Sequence, residues 1–194
     1  MTVTFKPRKH SGVGWARIAF GLAWAVDAAF KWVPAFQHRF ISYLTSAEPG
    51  QPGLVRGWIS GWVHVLKFCP GVFCHGLAIA ETLLAIALIT GALINLTTVV
   101  GAIVSFGIWS TAEGFGGPYM PGSTDIGASI IYVILFLTLR SARAGNVLGL
   151  DPVIRTRFPR LARLCSPPAD ATSIAEPRGG ESVPERAGGI VPIG

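Results

Sequence analysis

Four long apolar runs, the first two carrying charges of their own, set the pattern of this chain. The first extends from about Trp15 to Val33 and ends at Pro34; the second covers about Leu77 to Ile94. The third covers about Thr98 to Ser110 and the fourth about Ile126 to Leu139. A helix needs roughly 17–25 apolar residues to cross a bilayer. The third and fourth runs fall at or below that limit, and flanking Gly, Ser and Thr extend them, the third as far as Glu113. The pattern predicts an all-α membrane protein, a four-transmembrane-helix bundle.

Pro34 to Phe73 is too polar and too interrupted to span. Phe36, Phe40, Ile41 and Leu44 recur at helical spacing, and a Glu-Pro-Gly-Gln-Pro-Gly stretch from Glu48 breaks the chain. Leu54, Trp58, Trp62, Val65 and Leu66 then mark a second amphipathic piece. Two readings follow: short helices lying on the outer membrane surface, or, compatibly with that, a lid over an outward-facing pocket or a docking face for a partner. Beyond the fourth run, Asp151-Pro152 is a helix start, with a capping carboxylate and Pro at the first helical position. Ile154, Phe158 and Leu161 there can face lipid while Arg155, Arg157, Arg160 and Arg163 meet anionic headgroups. Pro159 shortens or kinks that piece. The expected organisation is a basic N-terminus over 1–14, a membrane domain over 15–143 with its amphipathic outer loop at 34–75, a basic juxtamembrane segment over 144–165, and a disordered tail over 166–194.

Composition supports the membrane class. Hydrophobic residues make up 51% of the chain and charged ones 13%, against about a quarter charged in soluble domains. The net charge of +6 raises nucleic acid as a partner, but no aromatic-basic interleaving or known motif accompanies it. Instead the basic residues gather at the ends: Lys6, Arg8, Lys9 and Arg17, then Arg140, Arg143 and the four arginines above. This positive-inside pattern puts both termini in the cytoplasm, the Leu96-Thr97 turn with them, and the segments Pro34–His75 and Gly114–Thr124 outside. Multi-pass insertion in a bacterial or archaeal cytoplasmic membrane follows. A cleaved signal peptide is the rival for the first run, through Ala23-Trp24-Ala25. Against it, the run continues through Ala28, Ala29, Phe30 and Trp32.

A charge inside hydrocarbon costs roughly 2.5–3.5 kcal/mol on insertion scales, so the charges within the runs are the candidate site. Asp27 and Lys31 are one helical turn apart. Counting about 1.5 Å per residue from the outer ends puts Glu81 at the depth of Lys31, so the three form a cluster that either moves protons or pins two helices together. Glu113 can join the same outward pocket, and Asp125 can cap the fourth helix. Cys69 and Cys74 bracket Pro-Gly-Val-Phe on the outer side; a structural disulfide, a redox pair and free thiols all remain open. His75 can tune a thiolate. A metal site made of Cys69, Cys74 and His75 lacks a fourth ligand, so none is expected. Cys165 lies on the opposite side of the membrane.

Several features resemble the DoxX/DoxD-like family of small four-helix membrane proteins. These are Arg17-x-x-x-Gly21 and Lys31 in the first helix, Glu81 and Gly91 in the second, and Gly116-Gly117-Pro118-Tyr119 through Asp125-Ile126-Gly127 to Tyr132. The resemblance covers roughly Ala16 to Arg143. It implies the membrane subunit of a thiosulfate:quinone oxidoreductase, with quinone as electron acceptor and a second protein subunit as partner; a homo-oligomer is also open. Lys31 would then attract an anionic substrate or the quinone oxygen, Asp27 and Glu81 would handle protons, and Cys69 and Cys74 would staple the pocket or exchange with sulfur. No flavin, haem or nucleotide motif is visible. The other readings are a non-catalytic membrane scaffold that recruits a redox or stress-response enzyme, and a small anion or thiol transporter.

Overall fold

In the computed structural model, residues 11–118 and 125–168 are described, and among them the ordered elements are all helical. The chain forms α1 (Ser11–Lys31), α2 (Pro34–Thr45), α3 (Gly53–Leu66), α4 (Pro70–Thr90), α5 (Ile94–Ser110), α6 (Ala128–Ser141) and α7 (Asp151–Arg157). Short 3₁₀ turns at Gly114–Gly116, Ala144–Asn146 and Pro159–Leu164 complete it. The basic cluster Lys6, Arg8 and Lys9, Tyr119, and the tail beyond Pro168 lie outside the described residues.

Helices α1 and α4, 21 residues each, are long and apolar enough to cross a membrane. Helices α5 and α6 are apolar but shorter, at 17 and 14 residues. All four turn large apolar side chains outward: Leu22, Val26 and Phe30 on α1, Leu83 and Ile86 on α4, Ile103 on α5, and Ile131 and Ile134 on α6 are exposed. Soluble monomers rarely expose apolar patches on this scale.

Small residues bring the helices together. A Cβ on Gly21 of α1 would stand 2.9 Å from both Ile89 N and Leu88 Cβ of α4, so only glycine admits this approach. Gly101 of α5 leaves room in the same way for the Phe136 ring of α6. Between them lies an aromatic core. The Phe20 and Phe136 rings meet at 4.9 Å and those of Trp24 and Phe136 at 5.4 Å, with Tyr132 beside both α1 rings.

Element boundaries differ from the sequence expectation in two instructive places. The turn between α4 and α5 is Gly91–Leu93, not Leu96-Thr97: Gly91 takes the left-handed conformation (φ 68°) that ends helices. Polar Thr97 and Thr98 are absorbed into α5 because their hydroxyls donate to Leu93 O and Ile94 O, at 3.0 and 2.7 Å. At the other end α4 starts at Pro70, so Cys74 and His75 ride on the helix instead of the loop before it.

The segment after α6 also departs from expectation, folding into a cap on the end of the bundle where α1 begins. Asp151 does not cap α7; it is the first helical residue. Its carboxylate instead accepts from Ile94 N at 3.3 Å and from Ser166 N at 2.6 Å. Arg155, expected at headgroups, donates inward to Asn146 Oδ1 and Ser166 O. Ser166, assigned above to the unstructured tail, is thus buried in the cap. Arg17, fully buried, closes the junction by donating to the carbonyls of Ala144 (2.7 Å), Val147 (3.1 Å) and Leu148 (2.7 Å).

Candidate functional site

The structure brings Asp27, Lys31 and Glu81 together. Lys31 Nζ stands 2.9 Å from Asp27 Oδ2, one turn away on α1, and 3.3 Å from Glu81 Oε2 on α4. The three differ sharply in exposure: 47% for the Asp27 side chain, 13% for Lys31 and 0% for Glu81. Neither Glu81 oxygen has a directed hydrogen-bond partner among the described residues. At 3.3 Å the Lys31 contact is therefore an ion pair of imperfect alignment. A buried carboxylate in that state has acceptor capacity left over. The antiparallel α1–α4 contact is also held by Trp32 Nε1, which donates to Thr82 Oγ1 at 3.1 Å.

Lys31 also faces a cavity of about 780 Å³ at the end of the bundle away from the Arg17 cap. Its wall is mostly apolar, built from α2 (Phe36, Phe40, Tyr43), α3 (Trp62, Leu66) and the facing turns of α4 and α5. Among the described residues Lys31 is the one basic residue on that wall, with Nζ 5.2 Å from the centre of the Phe36 ring. Phe36 and Tyr43 stack with centroids 5.3 Å apart and planes 24° apart, which makes an aromatic platform beside the ammonium. Ser46 and Thr111, also on the wall, donate to the Tyr43 and Gly107 carbonyls. That leaves the ammonium as the charged donor turned to the space.

The roof of the cavity is the α2–α3 hairpin, which has a small core of its own in Leu44, Ile59 and Val63. Gln51, nearly buried in its turn, donates to Gly114 O at 3.2 Å and ties the hairpin to the loop after α5. The hairpin thus lies over the cavity, an arrangement compatible with either reading of this segment. Sequence pattern marked Phe36 and Phe40 only as one face of an amphipathic helix, and Tyr43 not at all. Their helical spacing, which puts aromatic rings on one side of α2, was the signal available.

Glu113 lines the cavity edge, but its carboxylate is engaged elsewhere. It accepts from Ser129 N at 3.1 Å and Ser129 Oγ at 2.7 Å, satisfying the open end of α6. Asp125, expected to cap that helix, instead accepts from Gly127 N at 2.8 Å in a local turn. Glu113 takes the capping role expected of Asp125 and still lines the cavity edge, because the loop after α5 folds back to bring it over the start of α6.

Cys69 and Cys74 are free thiols, the first exposed and the second buried in α4. His75 is tied to its own helix through Nδ1 and Gly71 O at 2.7 Å and lies edge-on to Trp32. Cys165, in the opposite cap, is buried, and burial together with Asp151 pushes its thiol up to about 11. It is an inert packing residue at neutral pH. Among the described residues no group of His, Cys, Asp and Glu could hold a metal ion. The buried Arg17–Asp151 network was the feature sequence reasoning undervalued: a lone Arg at the start of an apolar run reads as an anchor to headgroups.

No family model, curated protein or solved structure matches the chain.

Proposed function

We propose that the chain is a four-span DoxX-like membrane protein, both termini cytoplasmic, acting as the membrane subunit of a quinone-linked oxidoreductase fed by thiosulfate or another reduced sulfur compound. The observation that carries this reading is the Lys31 ammonium, held between Asp27 and Glu81 at the wall of a large apolar cavity. Four spans are supported by the outward apolar faces of α1, α4, α5 and α6. At about 1.5 Å per residue, α5 and α6 measure about 26 and 21 Å, so they cross by extension through their flanking turns or by local thinning of the bilayer.

The cavity suits a lipid-soluble ring with oxygen acceptors. Its apolar wall takes the ring and the start of an isoprenoid tail, the Phe36–Tyr43 platform offers stacking, and the α2–α3 lid covers one side. Lys31 donates a charge-assisted hydrogen bond from Nζ to a carbonyl oxygen. Lys31 Nζ gives up a proton to the reduced oxygen and is resupplied by way of half-exposed Asp27, 2.9 Å away, while the buried Glu81 carboxylate favours the charged ammonium. A bound quinone supplies a sink for two electrons and two protons. Oxidation of two thiosulfate ions to tetrathionate releases two electrons, and the sulfur half of the reaction belongs to a second subunit. Cys69, exposed beside the cavity helix, is the thiol accessible to a sulfur compound.

The experiment is quinone reduction by membranes containing this protein and its co-purifying partner, with thiosulfate added, beside membranes carrying Lys31→Ala at equal protein level. Thiosulfate-dependent reduction that disappears in the variant is the expected result. Absence of reduction in the wild-type complex would reject the oxidoreductase reading, and partner capture that survives in both would leave a scaffold.

A further inference from the structure

At the end of the bundle opposite the cavity, the segment after α6 separates its arginines into two kinds. Arg155 is turned inward and bonded to Asn146 and Ser166. Arg157, Arg160 and Arg163 are exposed, and no ion pair among the described residues involves them. The only acid between Asp125 and Pro168 is Asp151, which is fully buried and engaged by Ile94 N and Ser166 N. In the 3₁₀ turn Pro159–Leu164, residues three apart eclipse one another, so Arg160 and Arg163 share one side. Asn95 draws a fourth guanidinium near: Asn95 Nδ2 donates to Arg163 O at 2.9 Å, and Arg140 donates to Asn95 O at 3.0 Å. Large apolar side chains stand exposed among these charges, namely Val153, Phe158, Leu161, Leu148 and Leu150.

We infer that this face is a binding surface for anionic phospholipid headgroups of the leaflet it meets, with the guanidiniums on phosphate and the apolar side chains in the acyl boundary. The inference rests on the membrane-spanning reading above, which places the face at the bilayer surface. Uncompensated positive charge beside exposed apolar area is complementary to an anionic lipid surface. Because Arg17, Asp151 and Ser166 lock the segment to α1 and α5, bound lipid stabilises the whole bundle end.

The test is thermal unfolding of the full chain in detergent micelles doped with phosphatidylglycerol or with phosphatidylcholine. Phosphatidylglycerol is expected to raise Tm more than phosphatidylcholine, with the difference shrinking at high salt. Arg157→Gln, Arg160→Gln and Arg163→Gln should each raise the anionic mole fraction needed for half the effect, by about fivefold per arginine. The single variants keep the test readable if the triple variant fails to fold. Equal shifts with both lipids, an undiminished shift in the variants, or the same shift with inorganic phosphate alone overturns the proposal. Extraction of the chain from membranes by alkaline carbonate overturns the spanning reading itself, which separates that failure from a failure of lipid preference.

Discussion

Removing Lys31 leaves the Glu81 carboxylate fully buried with no counter-charge and no directed hydrogen bond. Breaking one side of such a pair costs about 3–5 kcal/mol, whereas replacing both partners by apolar residues of similar size is often neutral. Lys31→Met alone should therefore lower stability strongly, and Lys31→Met with Glu81→Leu should recover most of the loss. Equilibrium unfolding of both variants in detergent checks this. Equal losses in the single and double variants would mean that the two side chains are not energetically coupled. The pair was legible in the sequence because depth along a helix is fixed by residue count, and a charge in an apolar run needs a partner. The capping of α6 by Glu113 in place of Asp125 was not, since which acid reaches Ser129 depends on how the loop after α5 turns back in space. Arg17 was equally hidden: its acceptors are backbone carbonyls 127 to 131 residues away, which have no side-chain signature.

At the level of elements, packing in lipid gains little from hydrophobicity, because hydrocarbon tails are as apolar as Leu; close backbone approach matters instead. Gly101 and Gly107 of α5 make a direct comparison. A Cβ at Gly101 would run into the Phe136 ring, while one at Gly107 meets nothing within 4 Å. Gly101→Leu should push α5 from α6 and cost at least the 1–3 kcal/mol typical of overpacking. Gly107→Leu should fold normally and fill part of the cavity, since Gly107 lines it. Melting temperatures of the two variants beside the parent check the contrast, and a stable Gly101→Leu would contradict the packing described. Helix existence was readable from apolar runs, and boundaries less so. Leu96-Thr97 looked like the turn before the third run, but back-bonding of the Thr97 hydroxyl to Leu93 O lets α5 start earlier, at Ile94. Pro70 looked like a loop residue, yet Pro suits a first helical turn, where no N–H is required.

The whole molecule divides along its axis. One half is filled by Phe20, Trp24, Tyr132 and Phe136 and closed by the Arg17–Asp151 cap. The other half holds the cavity, the Lys31 cluster and the α2–α3 roof. A packed, polar-locked end beside an open, lidded end is the frame on which the proposed quinone site rests. The apolar runs made the helical class legible, and two of the helices are long and apolar enough to cross a membrane, but the cavity arises from how two interrupted amphipathic pieces fold over α4 and α5, which periodicity along one helix does not encode. The most direct measurement is photolabelling of the membrane-embedded protein with an aryl-azide quinone, followed by peptide mapping. The account predicts label on α2 or on the half of α5 that lines the cavity, displaced by excess unmodified quinone and suppressed in Gly107→Leu. Label that is absent, not displaced by quinone, or unchanged in Gly107→Leu would contradict a quinone site in this cavity.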